Sequence, residues 1–472
     1  MQIVQPHLKL FKRAFKTMQT VTIMGAGPAG LLLAHYLLSR GQYKVKLYER
    51  RGNPLRDRFS QSSDTDRRAS DPDDRRSRRR TFPISLQQRG LDAIAGIPGL
   101  KAAIAEEGIF SSGTLLHRKK GKPRQVKRKL PLLLINRQQI VEVLLSQLLE
   151  KYDAEQVDIQ FDCTCVGLDT DSQTITLTVA KDTDRAETFT TPYERLVAAD
   201  GARSSVRDAL IAQADLQCEQ SVVPDAYKSL EVPRVNRAAG VELSAEYIHG
   251  WTIGSQARLL LVPQPGDTLQ GTLIVQPDQN PLAALSSGED VIAFMRRNCP
   301  PVADLIETET AEALLHRPLS RILSVQCDRM HVGDRILLIG DAVHAVSPSI
   351  GQGCNAALQD AKAFADCLAQ CDDDWSMALP AFTAQRLPEA HALRELSDYS
   401  FPRSKPMMVE FVVRAILGRK LGRRLPQWLS QGLFGWVGPM PLSMVMDDTL
   451  PYSEVLARSR SWVSRVKRSM AV

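Results

Sequence analysis

The run Val21-Thr-Ile-Met-Gly25-Ala-Gly27-Pro-Ala-Gly30 decides the fold of this chain. Its apolar and β-branched start suits a buried parallel strand, and the glycines after it mark a strand-to-helix turn. Gly25 permits the tight turn, Gly27 lets backbone approach a pyrophosphate, and Gly30 lets the next helix pack closely on the strand. A helix predicted from about 29 to 39 then aims its free N–H groups and positive dipole end at the phosphates. A second strand, predicted over 44–48, ends at Glu49, nineteen residues after Gly30. A carboxylate at that distance can accept from ribose hydroxyls. A bare glycine turn needs none of these neighbours, so the segment reads as a dinucleotide site.

Two further strand ends carry an acid. One is Leu196-Val-Ala-Ala-Asp200-Gly201; the other is Ile336-Leu-Leu-Ile-Gly340-Asp341. The second runs on through Pro348 and Ile350 to Gly351-Gln-Gly353-Cys354-Asn355 and an alanine-rich helix. Asp341 can accept from the hydroxyls of a polyol chain. A helix starting near Asn355 points N–H donors at a ring edge where negative charge gathers on reduction. Taken singly, Asp341 reads equally as an N-cap and Gly351 and Gly353 as a plain loop. Three acid–glycine turns in one chain favour FAD over a nicotinamide cofactor. His344 reads as a structural histidine, there is no evident Ser/His/Asp triad, and catalytic residues stay unassigned.

These segments resemble the three signatures of the class A, single-component flavin-dependent aromatic hydroxylases. Over nearly the whole length the chain is similar to the kynurenine 3-monooxygenases within that group. Arg80-Thr-Phe-Pro-Ile-Ser-Leu, Asn136-Arg137, Ala226-Tyr-Lys-Ser-Leu, Ile248-His-Gly-Trp251, Leu261-Val-Pro, Gly271-Thr-Leu-Ile274 and Met440-Pro-Leu-Ser carry the likeness in order. The resemblance implies an α/β fold. A Rossmann-like FAD-binding domain with a parallel sheet is interleaved with an antiparallel substrate sheet and followed by a helical C-terminal region. It implies flavin contacts from Glu49, Arg50, Arg80, Arg137, Asp200, Gly201, Asp341, Cys354 and Asn355, besides the glycines. It implies substrate contacts from Thr114, Leu261, Ile274, Pro348, Ile350 and Asn355. NAD(P)H would be the electron donor, with oxygen passing from O2 to the substrate through a flavin C4a-hydroperoxide.

The pattern breaks at the substrate end. Kynurenine hydroxylases hold their substrate with an Arg and a Tyr; the corresponding positions here are Thr114 and Pro131. A carboxylate buried without its Arg partner loses a bidentate contact and stays poorly compensated. A more apolar or aromatic substrate without that carboxylate is expected, although an arginine of the basic stretch 118–129 remains a possible stand-in. Two alternatives stay open: a flavin-dependent reductase of isoprenoid double bonds, and a flavin-bound membrane- or partner-binding module without turnover.

With 472 residues and 43% hydrophobic content, the chain has ample core. The expected boundaries are 1–18 for an N-terminal extension, 19–215 and 320–380 for the FAD-binding domain, 216–319 for the substrate-covering sheet, and 381–472 for a basic helical end. Residues 56–80, with nine Arg and six Asp, read as a self-compensating charged insertion, and the interleaved acids argue against nucleic acid. The eight cysteines show neither secreted disulfide spacing nor metal-ligand spacing, so reduced, cytoplasm-type thiols are expected. The net charge of +7 is concentrated after Phe401, where twelve Lys or Arg face four Asp or Glu. Apolar residues and tryptophans lie among them. That end suits either an anionic membrane surface or a helix packed on the flavin domain. The expected location is cytoplasmic with peripheral membrane contact.

Overall fold

The computed structural model describes residues 18–56, 83–118, 121–179, 186–214, 216–254, 257–402, 405–421, 440–447 and 449–470. Arg80, most of the charged insertion and the tryptophans at 428 and 436 lie outside the described residues.

The strand Gln19–Met24 sits inside a six-stranded sheet, flanked by Tyr43–Tyr48 on one side and Arg195–Ala198 on the other, in parallel register. Ile336–Leu338 continues the parallel pairing beyond Arg195–Ala198, and Val157–Gln160 beyond Tyr43–Tyr48. His331–Val332 closes one edge in the antiparallel sense. Both faces of the central strands are covered, which explains their unbroken apolar sequence. The helix Pro28–Ser39 begins on Pro28, whose missing N–H costs nothing in a first turn, and all its residues but the last are buried. It packs against Gly353–Gln370 and Arg137–Lys151.

An eight-stranded sheet stands beside this layer, in the order Ser320–Cys327, Cys218–Pro233, Thr268–Val275, Ala257–Gln264, Tyr247–Ile253, Ile109–Leu116, Arg124–Asn136, Pro83–Leu86. It is antiparallel except where Tyr247–Ile253 runs parallel to Ile109–Leu116. It therefore recruits strands well outside 216–319. A strand's local alternation tells which faces it buries but not which sheet it joins. One face rests on the helices Gly288–Asn298, Pro300–Ala303 and Thr308–His316, with Leu230, Trp251, Leu259, Leu261, Leu273 and Met295 between. The other face carries a small apolar cluster of its own, Leu132, Leu134, Ile248 and Val262. A three-stranded meander, Cys163–Asp169, Thr174–Val179 and Glu187–Pro192, completes the layer.

The C-terminal end is helical. Val455, Trp462, Val463 and Val466 of Tyr452–Met470 are buried in a core shared with Leu393 and Leu396 of Trp375–Tyr399. Of the two readings of this basic end, packing on the body of the protein holds for 452–470. The expectation of reduced thiols needs correcting, because Cys218 and Cys327 form a disulfide. They stand directly opposite each other across antiparallel strands, and a sequence separation of 109 hides the pairing from any spacing argument. The other six cysteines are free.

Candidate flavin site

The parallel register brings four chain turns to one edge. Gly340–Asp341, Ala199–Asp200, Gly25 and Glu49 follow the carboxyl ends of four neighbouring strands, Ile336–Leu338, Arg195–Ala198, Gln19–Met24 and Tyr43–Tyr48. In open α/β sheets that edge is where ligands bind.

The glycine loop is built for close approach. Gly25 has φ +105°, and a Cβ there would lie 2.4 Å from the Ala199 carbonyl oxygen. A Cβ on Gly30 would lie 2.2 Å from the Gly25 oxygen, so the helix could not pack with a side chain there. Gly27 differs. Its backbone is extended (φ −75°, ψ 174°), and a Cβ would meet only Arg137 Nη2, at 4.0 Å. No protein group requires a glycine at 27; an approaching ligand would.

Glu49 braces this loop. Its Oε2 accepts from the Ala26 N–H at 2.8 Å and its Oε1 from the Arg51 N–H at 2.9 Å, leaving further lone pairs for sugar hydroxyls. Arg50 is exposed. Its neighbour Arg51 is exposed as well, and partial desolvation together with the nearby Arg137 pushes its pKa down. Two guanidiniums close enough to repel each other favour a nearby anion.

The flavin-end residues converge on the same region. A Cβ on Gly353 would lie 3.9 Å from Asp341 Oδ1, and one on Gly340 would lie 3.4 Å from the Ala29 Cβ. The Cys354 thiol feels both Arg137 and Asp341, although burial is what pushes its pKa up to about 12. Asp341 and Gly351 are exposed. Asp200 is engaged differently: its Oδ2 accepts from the Ser205 N–H at 2.8 Å at the start of Ser205–Gln213, and its Oδ1 is shielded from solvent without a partner. Burial raises its pKa, against hydrogen bonds from Ser204 and nearby backbone. An unpaired buried oxygen at the strand edge fits a ligand that donates hydroxyl groups.

Some predicted contacts fall elsewhere. Asn355 is buried, with its Oδ1 accepting from the Gln87 N–H at 2.8 Å and its Nδ2 donating to Ser85 O and Gly351 O at 3.0 and 3.1 Å. Its amide ties two segments together instead of facing outward. Leu261, 0% exposed, belongs to the core under the helices, because strand alternation turns it away from the flavin layer. Thr114 pairs with Ile248 and Ile274 with Arg258 and Tyr227, on the face opposite that core. Pro348 is exposed and Ile350 buried beside Val346.

Two buried clamps were not anticipated. Arg207, 0% exposed, donates from Nη1 to Ala202 O at 3.0 Å and to Ala342 O at 3.1 Å, joining the second and third acid turns. Asp360 accepts from the Gly340 N–H at 3.0 Å, from His344 and from Arg386. An aspartate among alanines and leucines in a helix was the available signal for the second clamp.

Known proteins resemble this chain over most of its length. The FAD binding domain family matches residues 84–396. Kynurenine 3-monooxygenase of Salinispora tropica is 30% identical over 452 residues, covering 94% of this chain and 91% of that protein. That of Anopheles gambiae is 28% identical, covering 94% and 85%. The tetrameric form of 2-methyl-3-hydroxypyridine-5-carboxylic acid oxygenase shares the fold, with a TM-score of 0.61 at 20% identity over 81% of this chain and 90% of that one. With four acid- or glycine-bearing turns at one edge of the parallel sheet and these relatives along its length, the chain belongs to the FAD binding domain family and is an FAD-dependent monooxygenase.

Proposed function

We propose that this chain uses NAD(P)H and O2 to hydroxylate a small aromatic or apolar compound that lacks an amino-acid carboxylate. The observation that carries this reading is the wall around Pro131. A narrow cavity there is lined by Gln87, Arg89, Leu130, Pro131, Leu132 and Met446. Its guanidinium, Arg89, is already engaged: it donates to Val445 O at 2.6 Å and to Leu450 O and lies 4.7 Å over the Tyr452 ring. Thr114 offers a hydroxyl where kynurenine hydroxylases carry a cation.

The residues would divide the work as follows. The loop 25–30, Arg51 and Arg137 would bind the pyrophosphate and adenosine half. Asp341 and the helix start at Gly353–Asn355 would orient the other half. The sheet face carrying Thr114, Ile248 and Ile274 would cover the substrate and exclude water. Bound flavin supplies the electron transfer and the oxygen activation. A second reading rests on one observation: residues 128–131 lie where the register shifts opposite Ser112, and this irregular stretch carries Arg128, a cation of the kind a substrate carboxylate would need.

Coupled measurement of NAD(P)H oxidation, O2 uptake and peroxide release separates these readings. The expected result is that aromatic compounds without an amino-acid group stimulate oxygen-consuming turnover, while kynurenine stimulates it at least about tenfold less, a difference of about 1.4 kcal/mol. Efficient kynurenine turnover that disappears in Arg128→Met contradicts the first reading in favour of the second. Oxygen-independent reduction of a double bond points to the reductase, and no flavin reduction points to a binding module.

A peripheral membrane contact is also proposed. Among the described residues no helix is long and apolar enough to cross a membrane. The helix Lys405–Leu421, however, turns Met408, Val409, Val412 and Val413 to solvent, and Arg419, Lys420, Arg423 and Arg424 follow in sequence. This combination suits an anionic lipid surface. Full-length protein is expected to float with anionic liposomes, and replacement of those four cations by glutamine is expected to reduce flotation. Equal flotation of the two contradicts a tail-driven contact.

A further inference from the structure

The buried charge cluster behind the flavin-end loop has an arrangement that goes beyond stabilising the fold. Asp360 lies in the second turn of Gly353–Gln370 and is 0% exposed. Its Oδ2 accepts from the Gly340 N–H at 3.0 Å and from His344 Nε2, and its Oδ1 accepts from Arg386 Nε at 2.9 Å. Arg386, from Trp375–Tyr399, also donates to Ala356 O at 3.3 Å. One carboxylate thus joins Gly340 and His344, where the loop begins, to Ala356, where the loop has become helix. Between these points lie Asp341 and Gly351–Asn355.

The electrostatics suit a fixed clamp. Burial alone would lower the His344 pKa, but the charge and hydrogen bond of Asp360, with Asp341 nearby, raise it above its ordinary value. Burial would raise Asp360, yet His344 and Arg386 hold it below the usual carboxylate range. Both directions favour the charged forms of His344 and Asp360 over their ordinary balance. Arg386 from the neighbouring helix and Asp341 from the turn itself are the other charges facing the pair.

We propose that Asp360, through His344 and Arg386, is the positioning residue of the flavin end: it holds the Gly340–His344 turn against the next helix so that Asp341 and that helix's free N–H groups address one ligand. The inference rests on reading Asp341 as a flavin contact. A carboxylate that only stabilised the fold would lower melting temperature and leave the affinity of folded protein for FAD untouched.

The test uses full-length protein stripped of flavin, with FAD titrated by fluorescence quenching and the melting temperature of the stripped protein recorded beside it. Asp360→Asn and His344→Ala are expected to weaken FAD binding about tenfold or more, equivalent to about 1.4 kcal/mol. His344→Gln keeps an N–H donor toward Asp360 and is expected to stay within about threefold of the parent. Unchanged FAD affinity in Asp360→Asn and His344→Ala overturns the inference, as does an equal loss in His344→Gln and His344→Ala. Where Asp360→Asn does not fold, the two His344 variants decide. A parent chain that takes up no FAD removes the flavin assignment itself, and this inference with it.

Discussion

Replacing Gly27 with alanine is expected to leave the chain folded and to weaken FAD binding about a hundredfold, a loss of about 2.7 kcal/mol. The backbone at Gly27 already has dihedrals open to any residue, and the added methyl would find only Arg137 Nη2 at 4.0 Å. The protein therefore has no steric objection. The objection comes from a pyrophosphate that must approach the N-terminus of Pro28–Ser39 at hydrogen-bond distance. Melting of flavin-free protein is expected to change by no more than about 2 °C. Gly30→Ala makes the useful contrast, since its methyl would collide with the Gly25 carbonyl at 2.2 Å and damage fold and binding together. Parent-like FAD affinity in Gly27→Ala would show that the loop does not hold the cofactor.

Arg207→Met is expected to destabilise the chain by about 3 kcal/mol and to weaken FAD binding as well. The methionine fills much of the space but leaves Ala202 O and Ala342 O without their donor. Those carbonyls belong to the turns that carry Asp200 and Asp341. The pairing of Arg207 with Asp208 matters less, because that carboxylate is 58% exposed. Asp208→Asn is therefore expected to cost under about 1 kcal/mol. Denaturant unfolding of the two variants checks both figures, and equal midpoints would contradict the clamp.

The contrast between these two residues marks what the sequence could reveal. The placement of Gly25, Gly27, Glu49, Asp200 and Asp341 at one edge of the sheet could be read in advance because each follows a strand end, where the local pattern of apolar run, glycine and acid repeats. Their chemistry depends on neighbours in sequence. Arg207, Asp360 and Arg386 depend on partners 135, 20 and 26 residues away, respectively, which no local pattern states. The same reason hid the Cys218–Cys327 bridge. It also hid the recruitment of Ile109–Leu116 and Arg124–Asn136 into the substrate sheet. Leu261 illustrates a finer limit. Its strand was recognisable, but the face a residue takes turns on a shift of one position, and Leu261 falls on the helix-covered side. At Asn355 the residue type suggested ligand contact, whereas three hydrogen bonds to backbone groups engage its amide. The C-terminal end divided in a similar way. The apolar stripe of Tyr452–Met470 finds a partner in Trp375–Tyr399, while Met408, Val409, Val412 and Val413 face solvent.

Titration of the flavin-free, full-length chain with FAD tests the central claim most directly, with the visible spectrum and the bound stoichiometry as readouts. One FAD per chain, with the flavin bands shifted from those of free cofactor, is the predicted result. A chain that stays colourless at saturating FAD while remaining folded would contradict the account.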